Sequence, residues 1–80
     1  MTELRASRGF ALSLAVRMIA VHRDIIKHQQ EIGKRCKELA VKAAERGDYS
    51  EASVLMKRFR EIVVTINRHN LSIEELSKLR

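Results

Sequence analysis

One mismatch of lengths constrains this chain more than any other feature: the helix-favouring stretches on either side of Gly47-Asp48 are unequal. Before that dipeptide, Phe10 to Arg46 runs without a proline; after it, the next comparable stretch is only Tyr49 to His69. Gly47 suits the left-handed position that ends a helix. Asp48 then reads as the N-cap of the next one, with Glu51 three residues on completing a capping-box-like pair. At 1.5 Å per residue, a helix of about 55 Å folds back on one of about 30 Å and leaves roughly 25 Å uncovered. The uncovered part, Phe10 to Ile26, is also the most apolar part of the chain. Such a chain needs a partner.

Composition supports the same reading. Eighty residues make one domain at most, and a hairpin of that size cannot enclose a large core alone. With no proline, three glycines and 45% hydrophobic residues, long helices are favoured over a sandwich or barrel, which need turn residues at short intervals. The expected fold is all-α, one domain over residues 1–80. It is a long antiparallel hairpin (helix 1 about 10–46, helix 2 about 49–69) with a short C-terminal helix, about 73–79. The third helix is inferred from Ser72 and Glu75 as a capping box, with Leu71 and Leu76 at the staple positions after a break at Asn70.

Along helix 1, Leu14, Met18, Val21, Ile25, Ile32 and Leu39 fall on alternating three- and four-residue steps. His28 and Arg35 complete the series. This is a coiled-coil-like seam, which Cys36 and Ala43 widen beyond Ile32. Ser13, Arg17, Asp24, Glu31, Glu38, Lys42 and Glu45 form the solvated side. Helix 2 carries Ala52, Leu55, Met56, Phe59, Ile62, Val63 and Ile66 on one face. From Ile32 onward helix 1 has one narrow apolar stripe, as suits a single neighbour. From Phe10 to Ile26 the apolar residues spread almost all round, as in a helix covered on most sides. Phe10, Leu14, Met18, Val21, Ile25 and Ile26 are therefore the expected protein interface, and a homodimer forming a four-helix-type bundle is the simplest way to cover them.

The chain is basic, with net charge +6 and pI ≈ 10.1. Two trios stand out, Lys34/Arg35/Lys37 and Lys57/Arg58/Arg60, which a hairpin turn at Gly47-Asp48 brings to the same height. They could hold an anion, a phosphate backbone or an acidic protein surface; the plainer alternative is a solvated face, since Glu31, Glu38 and Glu61 lie among them. The aromatic residues are only Phe10, Tyr49 and Phe59, so base-stacking platforms are lacking. Nucleic acid would be held through phosphates, with little sequence preference.

His28 and His69 fall on seam positions at similar height and read as a close pair, with His22 off that line. A zinc site needs more ligands than this. Cys36 beside Arg35 and Lys37 invites a reactive-thiol reading, but no base or oxyanion site accompanies it, and a small buried side chain is the simpler role. There is no Gly-rich phosphate loop and no nucleophile-elbow motif. The chain is read as non-enzymatic and without a cofactor.

A lone cysteine fits a reducing compartment. Arg5 and Arg8 precede the apolar run Phe10 to Val16 in a signal-like way. Arg17 interrupts it, and no small-x-small site follows. The run is too short to span a bilayer, and its polar side is not lysine-rich, which weakens a membrane-surface reading. A cytoplasmic location is expected.

The stretch Ala43 to Leu55, with its Ala-rich helix end, Gly47-Asp48-Tyr49 turn and Ala52/Leu55 helix start, resembles the turn of a UVR-type helical hairpin. That resemblance implies a role in protein–protein contact. Met56-Lys57 stands where the charged pair usually follows the leucine, and the long first helix is extra. The functional expectation is a small dimeric helical adaptor, anti-activator or chaperone-like regulator. The alternative is a basic nucleic-acid-binding or nucleoprotein-assembly subunit contacting phosphates through the two trios.

Overall fold

The computed structural model describes the backbone of residues 2–79 and the side chains of residues 9–79. Two helices account for nearly all of it: α1, Thr2–Glu45, and α2, Tyr49–Ser77. They pack antiparallel into a rod of 68 × 14 × 12 Å. Its radius of gyration is 18.9 Å, against about 12 Å for a compact chain of this length. There is no third layer, so every side of α1 except the one facing α2 is open within the described residues.

The turn follows from three residues. Gly47 adopts φ +80°, a conformation that costs a residue with a Cβ but not glycine. Its N–H donates to the Ala44 carbonyl at 3.0 Å, and the Asp48 N–H to the Ala43 carbonyl at 2.9 Å, the Schellman pattern that satisfies the last carbonyls of α1. Asp48 then caps α2, its Oδ1 accepting from the Glu51 N–H at 3.1 Å. Only half of the anticipated capping box forms. The Asp48 N–H is already committed to α1, and the Glu51 carboxylate instead pairs with Arg46 at 3.0 Å across the turn.

Two sequence expectations need correction. Helix 1 begins at Thr2 instead of near Phe10. The break at Asn70 and the separate helix over 73–79 do not exist: α2 continues unbroken to Ser77. Ser72 Oγ donates back to the Arg68 carbonyl inside the helix, and Glu75 pairs with Lys78. The capping signals lose because Asn in a helix costs well under 1 kcal/mol, whereas a break would take Ile73 and Leu76 off the packed face. Those residues extend the series Ala52, Leu55, Phe59, Ile62, Ile66, His69, all buried or half-buried, with no change of step. The 44 residues of α1 still outrun the 29 of α2, by roughly 20 Å. Because α2 is longer than expected, Ala15 and Ile19 are covered by the hairpin itself, at 1% and 3% exposure.

The larger correction concerns which stripe of α1 meets α2. The buried or half-buried series is Leu12, Ala15, Ile19, His22, Ile26, Gln29, Gly33, Cys36, Ala40 and Ala43, again in steps of three and four. It is a second seam beside the one made by Leu14, Met18, Val21, Ile25, Ile32 and Leu39. In its turn-proximal half it is built from small residues. That permits close approach: a Cβ on Gly33 would stand 3.3 Å from Ile62 Cγ2 and 3.7 Å from two ring atoms of Phe59. Gly33 is thus a packing residue. The bulky side chains there come from α2 and the recesses from α1, a division that suits close packing.

Candidate functional site: the free seam of the long helix

With α2 seated on the small-residue seam, the bulkier seam of α1 is left on the outside. Leu14 is 45% exposed, Met18 41% and Val21 56%; Ile32 and Leu39 are exposed as well, and Ile25 is half-buried beside α2. Phe10, one step further toward the N-terminus, is 71% exposed. Single exposed apolar residues are ordinary, but a row of them at coiled-coil spacing, interrupted only at His28 and Arg35, is not. Of the residues expected at the interface, Ile26 is the exception. It is buried in the hairpin's own seam and drops out of the candidate surface.

The free seam has two distinct margins. On the side away from α2 lies the row Arg17, Asp24, Glu31 and Glu38, all exposed. On the other side α2 contributes Arg68, Ser72 and Glu75; Ser72 and Glu75 line an open cleft with Met18, His22, Leu71 and Leu76. Leu71 is exposed there too, so the apolar surface widens around Met18.

His22, not His28, is the partner of His69. Their Nδ1 atoms lie 2.7 Å apart and the ring centroids 5.0 Å, tilted by 50°. One ring must donate and the other accept. His28 is exposed on the free seam, because the true hairpin seam runs one stripe over. Among the described residues no group of three or more His, Cys, Asp or Glu converges in a way that could hold a metal ion. Cys36 is a free thiol buried in the small-residue seam.

The two basic trios do lie within the helices' shared length and are all exposed. Lys34, Arg35 and Lys37 occupy a single helical turn, as do Lys57, Arg58 and Arg60, and at 100° per residue each trio fans round its helix instead of lining one face. Lys57, Arg60 and Arg68 share a shallow outer surface of α2 with Glu61, Val64 and Thr65. Lys37 and Lys42 alternate with Glu38 and Glu45 around Val41 on α1. No helix among the described residues is long and apolar enough to cross a membrane. No family model matches the chain, and neither the curated proteins nor the solved structures compared with it give a match.

Proposed function

We propose that this chain is a non-catalytic protein–protein interaction module that acts through the free seam of α1, as a small helical adaptor, anti-activator or chaperone-like regulator. One observation carries the reading. The hairpin seals its small-residue seam and leaves Leu14, Met18, Val21, Ile32 and Leu39 exposed on its surface, with Ile25 half-buried among them. Water contact with such a row is unfavourable by about 25 cal/mol per Å² of apolar surface, and a helix or helical pair laid along it removes that contact.

The first partner to test is a second copy, which any solution of the protein supplies at the highest concentration. A stable interface takes roughly 800 Å² from each side. The long face of the rod, 68 by 14 Å, is large enough to supply it, with the apolar row running along more than half its length. Sedimentation equilibrium of the wild type and of Val21→Asp tests the reading. Twice the monomer mass for the first and monomer mass for the second is the expected result. A wild type that stays monomeric at high micromolar concentration rejects self-association through this seam.

A further inference from the structure

We infer that two copies pair antiparallel, α1 against α1, about a twofold axis that crosses α1 near Arg23 and Asp24. This rests on the free seam being a self-association surface and goes beyond it in fixing orientation and register.

The free seam is made of two rows of residues. One of them, Ala11, Met18, Ile25, Ile32, Leu39, is apolar throughout. The other, Leu14, Val21, His28, Arg35, Lys42, is apolar at the N-terminal end and basic at the C-terminal end. In a parallel dimer each row meets itself, so His28, Arg35 and Lys42 would stack on their own copies at successive layers. Like charges placed directly opposite one another are unfavourable. In an antiparallel dimer the two rows meet each other. An axis near Arg23 then sets Val21 against Ile25 and Leu14 against Ile32 of the second copy, and the symmetry makes each contact twice. Met18 meets His28, and Arg35 falls opposite Ala11 instead of another cation. Shifting the register by one heptad toward the turn keeps two apolar layers, Val21 against Ile32 and Leu14 against Leu39. It also sets Met18 against Arg35 and Ile25 against His28, so the seam alone disfavours it only through the Met18–Arg35 layer.

The exposed margin chooses the same register. An axis near Asp24 places Arg17 opposite Glu31 of the second copy, and Glu31 opposite its Arg17. The one like-charge contact is Asp24 with itself, on the solvated rim. In the heptad-shifted register Asp24 would face Glu31 twice. His69 lies against His22, so, counting on antiparallel from that contact, the axis crosses α2 close to Arg68. Because α2 flanks the same side of the seam in both copies, the product is a four-helix bundle in which every neighbouring pair is antiparallel. The N-terminal end of α1 benefits directly: Phe10 and the outward-facing Leu14 lie along Ile32 to Glu38 of the second copy.

Two experiments test orientation and register separately from self-association. The first is a charge swap. Arg17→Glu and Glu31→Arg should each weaken the dimer roughly tenfold, since each converts two attractive contacts into repulsive ones. The double variant should return to within about twofold of wild type at low salt. Positions 17 and 31 are about 21 Å apart on one helix, so rescue can only be intermolecular. The second uses Asp24→Cys with Cys36→Ser. Antiparallel pairing about this axis brings the two introduced thiols together, and mild oxidation should convert most of the protein to a disulfide-linked dimer. A parallel dimer holds those thiols on opposite sides of the seam. Dimers that ignore the charge swap and fail to cross-link overturn this arrangement while leaving self-association intact. A monomeric wild type overturns both.

Discussion

Two stripes run side by side along α1, and they differ in an instructive way. The inner one, Ala15, Ile19, His22, Ile26, Gln29, Gly33, Cys36, Ala40 and Ala43, is the less hydrophobic yet meets α2. The outer one, Leu14, Met18, Val21, Ile25, Ile32 and Leu39, is the more hydrophobic yet largely faces outward. Transfer energy alone, at roughly 0.8 kcal/mol per buried methylene, would seat α2 on the outer stripe. Packing decides otherwise. α2 presents bulky Leu55, Phe59, Ile62 and Ile66, and the recess at Gly33 lets Phe59 and Ile62 come to contact distance, with the small Cys36 and Ala40 buried on the same stripe. Bulk against bulk would hold the helices apart. What a helix pair buries is set by fit between surfaces, and the richer stripe stays largely exposed.

The comparison is most severely tested by neighbouring positions on the two stripes. Ile19→Asp puts a charge with no partner into the hairpin seam and should cost more than about 4 kcal/mol, abolishing the cooperative helical melt. Val21→Asp, two residues on but on the outer stripe, should leave the helical content near that of wild type and remove only association. Circular dichroism beside sedimentation reads both. If the two variants behave alike, the division into a structural and a binding stripe is wrong.

Enlarging the recess comes next in size. Gly33→Leu must push past Ile62 and Phe59 and should destabilise by about 2–3 kcal/mol, lowering the thermal midpoint by on the order of 10–20 °C. Gly33→Ala sharpens the point. Its helix-propensity gain of about 1 kcal/mol opposes the 3.3 Å contact with Ile62, so a net change within about 1 kcal/mol is expected. A gain of the full propensity value would mean that the helices are not in close contact there.

Smaller effects belong to the turn. Asp48→Ala removes the side chain that accepts from Glu51 N–H and should cost about 1 kcal/mol in urea melts. Arg46→Ala removes an ion pair whose partners are both more than half exposed, and should change stability by less than about 0.5 kcal/mol. A larger loss from Arg46 than from Asp48 would show that the ion pair, and not the cap, holds the turn.

Much of this architecture was legible in the residues. Gly47 and Asp48 announce the turn because their chemistry is local: one tolerates positive φ and the other supplies a cap. The candidate surface was legible in part. Phe10, Leu14, Met18 and Val21 stand out in the sequence and are exposed, Ile25 is half-buried, and Ile26, one residue on, lies in the other stripe. Periodicity could not separate them, since α1 carries two interleaved seams and each satisfies the three-and-four rule. The small-residue run Gly33, Cys36, Ala40, Ala43 was the signal that could have chosen between them. The end of α2 misled for a related reason. The Ser72/Glu75 capping pattern is a local preference worth about 1 kcal/mol, and it yields to the continued packing of Ile73 and Leu76.

By itself, then, the amino-acid order determined that this chain is helical, where it turns, and that it carries more apolar surface than one hairpin can cover. Those outcomes depend on interactions within a few residues and on the overall tally of apolar groups. Only the packed pair of helices decided which stripe goes inward, which histidine meets His69, and that α2 runs on to Ser77. These are questions of fit between two surfaces distant in sequence, and steric complementarity exists only once both surfaces have been brought together.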